Sequence, residues 1–183
     1  MIVVTGLPRS GTSLMMRMLE AGGIDCVYDP QYADGANPHG YYETTVELAT
    51  DPEFVAALGD GQAIKVHGAV TRHDGPARVI VMRRDLATLL TSFERMRTEF
   101  RASQIPPLLP EYAQRNLDAI RLWASARPHV EIWYDDLLRD PPNEILRVAR
   151  MLQMVPGINE PSLDLAAMAG CVDASLNHAM AYA

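Results

Sequence analysis

The chain has little cysteine, no long apolar run and no excess of positive charge, and each shortage removes a class of function. Its two cysteines, Cys26 and Cys171, stand alone, without C-x-x-C spacing or a histidine pattern beside them. Neither a zinc site nor a disulfide framework is indicated, so both thiols are read as small packing residues and no metal is expected. No hydrophobic stretch approaches the length that crosses a bilayer. No basic segment precedes the apolar start, which is short and leads directly into a loop, so the expectation is a soluble, cytoplasmic protein with no membrane partner. Sixteen basic side chains against 23 acidic ones give a net charge of −7. That balance disfavours nucleic acid and highly sulfated polymers as partners. An anionic ligand must then be held by a few well-placed cations.

What remains is enough for one domain with a real core, assigned to residues 1–183, in which 48% of the residues are apolar. The apolar runs alternate in kind. Ile2 to Thr5, Ala63 to His67, Val79 to Met82 and Val130 to Tyr134 read as strands, with Asp25 to Tyr28 a weaker fifth. Between them lie helical stripes: Leu14, Met15, Met18 and Leu19, stopped by Gly22-Gly23; then Ala113, Leu117, Ile120 and Ala124 on one face. Asp140 before Pro141 reads as an N-cap and first helical position, launching a helix with Ile145, Val148, Ala149 and Leu152 inward. The ten methionines are read as flexible core filler. Strand and helix in alternation predict a three-layer α/β/α domain around a parallel sheet of four or five strands, P-loop-like in that its first strand runs into the glycine-bounded loop Gly6 to Gly11. Two turn-rich segments, Asp29 to Gly40 and Gln104 to Pro110, are candidates for an acceptor lid, because ligands of such sheets bind beyond the carboxyl ends of the strands.

The densest signal is the first. A short buried strand runs into Gly6-Leu7-Pro8-Arg9-Ser10-Gly11-Thr12-Ser13 and then into a helix. Helix-initial N–H groups lack intrahelical partners and point at whatever docks there, so this is an anion cradle. The spacing is that of a Walker A loop, G-x-x-x-x-G-K-[ST], except that Thr12 takes the place of the lysine. In nucleotide-hydrolysing loops that lysine reaches the terminal phosphates, and its absence argues against ordinary ATP chemistry.

The wording Pro8-Arg9-Ser10-Gly11-Thr12-Ser13 resembles the 5′-phosphosulfate loop of sulfotransferases that use 3′-phosphoadenosine 5′-phosphosulfate (PAPS) as donor and release PAP. Further pieces follow in that family's order. Arg84 ends a strand and Ser92 lies eight residues on, slightly over two helical turns, so both side chains can meet one anion. The resemblance implies that Arg84 and Ser92 grip the 3′-phosphate, and strand alternation turns Arg83 the other way. Lys65-Val66-His67 resembles the family's Lys-x-His, which implies His67 as the base for the acceptor proton and Lys65 as a helper on the transferring sulfonate. The resemblance further implies that Pro8 to Ser13 hold the 5′-phosphosulfate, with Arg9 catalytic as well as binding.

Asn37-Pro38-His39-Gly40-Tyr41-Tyr42-Glu43 is similar to a segment of a bacterial subgroup, with His39 and Glu43 in reserve for acid–base work; its alternative is a turn packing two tyrosines. Tyr134 to Pro141 is similar to the family's Tyr-Glu-Asp-Leu-x-x-Asp-Pro run, and its adjacent acids are read as helix-orienting. One expected feature is missing, an Arg-Lys-Gly loop near the C-terminus. The matches run from residue 1 to about residue 155 and imply a sulfotransferase for a hydroxyl or amine of a small molecule. Two other readings stay open, an ATP-dependent small-molecule kinase and a non-catalytic nucleotide-binding protein of the same fold. A homo-oligomer that completes the acceptor pocket is a further possibility.

Overall fold

A computed structural model describes residues 1–29, 40–44, 51–100, 105–153 and 163–173. Five strands form one sheet: β1 (Ile2–Gly6), β2 (Asp25–Val27), β3 (Gln62–Lys65), β4 (Arg78–Arg83) and β5 (His129–Trp133). All pairings are parallel and the order is β2-β3-β1-β4-β5. The helices are α1 (Thr12–Ala21), α2 (Pro52–Ala57), α3 (Leu86–Phe100), α4 (Pro110–Ser125), α5 (Tyr134–Arg139), α6 (Pro141–Gln153) and α7 (Leu165–Gly170), with a 3₁₀ turn at Gly68–Arg72. This is the three-layer α/β/α architecture expected from the alternation of strand and helix. Among the described residues no helix is long and apolar enough to cross a membrane.

Parallel strands must be apolar on both faces, and the odd–even alternation of β1 shows the division. Ile2 and Val4, with Ile80, Met82 and Ile132, pack under Met15, Met16 and Leu19 of α1 and Ile145, Val148 and Leu152 of α6. Val3, Ile64, Val79 and Val81 face Ile120, Trp123 and Ala124 of α4. The helical stripes read from the sequence are therefore the buried faces, and Met15, Met16 and Met18 are completely enclosed. Cys26 and Cys171 are half-buried free thiols, and burial, aided by Glu20 and Asp25, pushes the Cys26 thiol up to about 12. An inert packing role follows for Cys26.

Helix ends fall where the sequence places its punctuation. Gly23 has φ +95°, and its N–H and that of Ile24 bond back to the carbonyls of Glu20 and Leu19, at 3.0 and 2.9 Å, a Schellman closure of α1. Asp140 accepts from the Asn143 N–H at 3.3 Å and starts α6 at Pro141. Asp85 accepts from the N–H and the hydroxyl of Thr88, both at 2.9 Å, and starts α3. One strand ends earlier than expected. β3 stops at Lys65, and His67 precedes the 3₁₀ turn, its carbonyl accepting from the Val70 N–H at 2.9 Å.

Three strands that meet at the middle of the sheet lead into the residues singled out from the sequence. The chain moves outward from β1 to β2, returns to β3, then crosses to β4 on the other side, so the order reverses around β1. A crevice for a ligand lies at the carboxyl ends of the strands at such a reversal. The loop after Gly6, Lys65 and His67 after β3, and Arg84 after β4 all sit at that edge.

Candidate anion and transfer site

The loop between β1 and α1 is held from inside. Leu7 is 3% exposed and packs with Leu89 of α3 and Ala113 and Leu117 of α4. Ser10 turns inward: both its N–H (3.2 Å) and its hydroxyl (2.7 Å) donate to the Leu7 carbonyl. Its backbone N–H is thus used by the loop itself, and the helix-initial amides begin at Gly11. Gly11 has φ +96°, is the residue before α1, and offers no side-chain cap; no acid occupies the first turn of the helix. A Cβ at Gly11 would approach the Tyr134 ring to 2.5 Å. Glycine is required twice there, by conformation and by that close approach.

Arg9 also lies in the left-handed region, at φ +71°. A non-glycine residue there is strained, and persists where neighbours over-determine it. The neighbours are the two residues expected to act together. Arg84 Nη1 donates to the Arg9 carbonyl at 3.1 Å, and Arg9 Nε donates to the Ser92 hydroxyl at 3.3 Å. Arg84 further lies over the Tyr134 ring, 4.6 Å from its centre. Burial lowers the Arg84 guanidinium's proton affinity, Tyr134 and Asp135 raise it, and Arg9 lowers it; an arginine remains charged through such a shift. Arg83 turns away as expected, pairing with Glu131 at 2.5 Å and lying over Trp133.

The second cluster joins β3 to the segment Gly40–Thr44. Lys65 is the chain's single lysine, and it is 2% exposed. Its ammonium donates to Glu43 Oε1 at 2.7 Å, to the Ser13 hydroxyl at 3.2 Å and to the Tyr41 carbonyl, while Ser13 itself donates to that carbonyl at 3.1 Å. His67 Nδ1 lies 3.0 Å from the Gly6 carbonyl, and Nε2 lies 3.7 Å from the same Glu43 Oε1. A carbonyl opposite Nδ1 assigns the proton to that nitrogen, which leaves Nε2 as the basic position of the neutral ring. Burial works against the Glu43 carboxylate, but His67 and Lys65 outweigh it and hold it at about 2. Burial lowers the Lys65 ammonium's affinity for its proton; Glu43 opposes that loss and Arg9 adds to it.

The expected site residues thus fall into two touching groups. Pro8, Arg9, Ser10, Gly11, Thr12 and Ser13 form the loop, Arg84 and Ser92 grip Arg9, and Lys65 and His67 approach from β3. Two residues gain a larger part than the sequence suggested. Glu43, a reserve acid–base candidate, is the shared partner of Lys65 and His67, and Tyr134, expected to be structural, walls the loop at Gly11 and carries Arg84. The alternative reading of Tyr41-Tyr42 as packing residues holds for Tyr42, which is 5% exposed and lies 4.5 Å from the Tyr28 ring. Asn37, Pro38 and His39 lie outside the described residues, as do the rest of 30–39 in the first segment expected to form a lid and Gln104 at the start of the second. The Asp135-Asp136 pair begins α5, Asp136 pairing with Arg139 at 2.8 Å. Among the described residues no cluster of three or more histidines, cysteines or acids could hold a metal ion.

No family model matches this sequence, and no curated protein is significantly similar to it.

Proposed function

We propose that the protein is a PAPS-dependent sulfotransferase acting on a hydroxyl or amine of a small molecule. The observation that carries this reading is that the loop from Gly6 to Ser13, the Arg84–Arg9–Ser92 chain and the Lys65–Glu43–His67 cluster occupy one edge of the sheet. Each group suits a different part of the donor. The amides from Gly11 to Ser13, without a side-chain cap, fit the 5′-phosphosulfate. Arg84 and Ser92 fit the 3′-phosphate, the group that separates this donor from ATP. When bound, PAPS supplies the sulfuryl group, with PAP as its leaving group.

The chain's own contribution is electrostatic and positional. Arg9, within the loop, and Lys65, bonded to Ser13 at its end, bring positive charge to it. His67 keeps its proton on Nδ1 through Gly6 and takes the acceptor's proton at Nε2, with the Glu43 carboxylate nearby to balance the new charge. The hydroxyl of Ser13 stands where a Walker loop would hold magnesium. Here it accepts from an ammonium, which disfavours a second cation at that oxygen.

Incubation with PAPS carrying labelled sulfate and a pool of small alcohols, phenols and amines tests the reading. Label should move to an acceptor, and should still do so with excess chelator present. Transfer from ATP instead, with a magnesium requirement, would replace the reading by a kinase. No transfer and no donor binding would leave a non-catalytic relative of the fold.

A further inference from the structure

Glu43 stands on a backbone that is fixed from the other side. The Glu43 carbonyl accepts from the Asp29 N–H at 2.9 Å, and the Thr44 hydroxyl donates to the Val27 carbonyl at 3.2 Å, so the segment lies against the end of β2. Tyr42, between the two residues that reach the site, is buried in the opposite direction and donates its hydroxyl to Glu20 Oε2 at 2.6 Å. The carboxylate of Glu43 is therefore placed by the fold before any ligand arrives. It faces Lys65 and His67 at the end of β3, and Arg9 of the loop is close enough to weaken the Lys65 ammonium's hold on its proton. The nearest acid of α1, Glu20, is taken up by the hydroxyls of Tyr28 and Tyr42.

The Lys65 ammonium has three protons and three acceptors, but only Glu43 among them carries charge. An ammonium this deeply buried, next to an arginine, keeps its proton only if an anion compensates it. The same carboxylate oxygen lies 3.7 Å from the basic nitrogen of His67. We propose that Glu43 is a positioning residue of the site, which keeps Lys65 charged beside Ser13 and supplies the counter-charge for the imidazolium of His67. The part played on Lys65 is independent of the reaction; the part played on His67 rests on the sulfotransferase reading.

The single lysine makes the test direct. Protein labelled with ¹⁵N at the lysine side chain gives one Nζ resonance, whose pH titration belongs to Lys65 alone. Glu43→Gln keeps the size and a hydrogen-bond acceptor but removes the charge. It should lower the midpoint of the Lys65 titration by about 1–3 pH units, the usual effect of one adjacent opposite charge. Glu43→Asp should restore part of the shift. An unchanged midpoint in the amide variant overturns the proposal, because a merely steric role leaves the midpoint where it was. The unaltered protein provides a check that needs no variant. In ¹⁵N spectra of labelled histidine, neutral His67 should carry its proton on Nδ1; a proton on Nε2 overturns the His67 half. If the Lys65 midpoint moves as expected while PAP does not bind the unaltered protein, the donor reading fails and the assignment of Glu43 on Lys65 stands.

Discussion

Arg84 and Arg9, two cations 75 residues apart in sequence, are fastened to each other: Arg84 Nη1 donates to the Arg9 carbonyl at 3.1 Å. Bringing two guanidinium-bearing residues together in the absence of an anion is costly unless the contact is through the main chain, which is how it is made here. The bond also holds Arg9 at a positive φ. The end of β4 thereby sets the shape of the loop after β1, and anything that reads the 3′ end of a nucleotide through Arg84 reads it against a loop already fixed.

Selectivity for a 3′-phosphate should therefore reside in Arg84. Calorimetry is expected to show PAP binding well and AMP much more weakly, with Arg84→Ala removing most of the difference. Loss of one charge-assisted contact costs about 1.5–3 kcal/mol, roughly tenfold to a hundredfold in affinity. Equal binding of AMP and PAP by the unaltered protein would falsify the assignment of the 3′-phosphate site.

Arg78 is the useful contrast, since it is a fully buried arginine at the opposite end of β4 from the half-buried Arg84. It is 3% exposed, and its guanidinium donates to the carbonyls of Leu152 at 2.7 Å and Asp60 at 2.5 Å, pinning α6 and the turn before β3 to the sheet. Arg78→Met should destabilise the fold by about 2–4 kcal/mol in urea unfolding, because two carbonyls lose a charged donor. Its PAP affinity should stay at the parental value. A stable variant that loses PAP would place the nucleotide at the wrong end of the sheet.

Gly11 is expected to be irreplaceable for binding. Any side chain there meets an unfavourable φ of +96° and the Tyr134 ring at 2.5 Å. Gly11→Val should abolish PAP binding and lower stability by about 1–3 kcal/mol, with the far-ultraviolet circular dichroism close to that of the parent. A folded variant that still binds would move the site elsewhere.

The fold was largely legible because each layer has its own period. The short apolar run of β1, buried along its whole length, the Met15–Leu19 stripe and the Asp140-Pro141 start are all local signals, and the structure places them as expected, with strand ends moved by one or two residues. The site was legible only in part. Spacing brought out Arg84 and Ser92 as a pair, but that both close on Arg9 depends on the parallel pairing of β1 with β4, which no local pattern reports. Glu43 stood in view within Gly40-Tyr41-Tyr42-Glu43, yet its partner Lys65 is 22 residues away at the end of β3. Burial hid the rest, since a lysine is ordinarily read as a surface group. That Lys65 is the chain's single lysine was the available clue.

Glu43 also makes a stability prediction with a definite sign. Its carboxyl is held at about 2 in the folded chain against an ordinary 4.5. A depressed carboxyl contributes stability that is fully present above the ordinary value and is lost as the pH falls toward the folded one. The advantage of the unaltered protein over Glu43→Gln in urea unfolding should therefore be constant near pH 6 and shrink between about pH 4.5 and 2. A difference that does not change with pH over that window would mean that the carboxylate is not paired.

His67 is expected to be the general base, since its imidazole touches the first residue of the anion loop through Gly6 and is 26% exposed at the side chain, open to an incoming acceptor. The Nδ1 contact fixes the ring, so removing it should affect the proton transfer and little else. His67→Ala should keep PAP affinity within a few-fold and slow transfer by about 10²–10⁴, the usual contribution of a positioned acid–base group. His67→Gln should be as slow, because an amide can bond to Gly6 but cannot accept the proton at neutral pH. Initial rates with saturating donor, set beside PAP affinity from calorimetry, separate this from a binding role: both variants should lose rate and keep affinity. Transfer at the parental rate by His67→Ala would make another residue the base, and Glu43, 3.7 Å from Nε2, would be the first to examine.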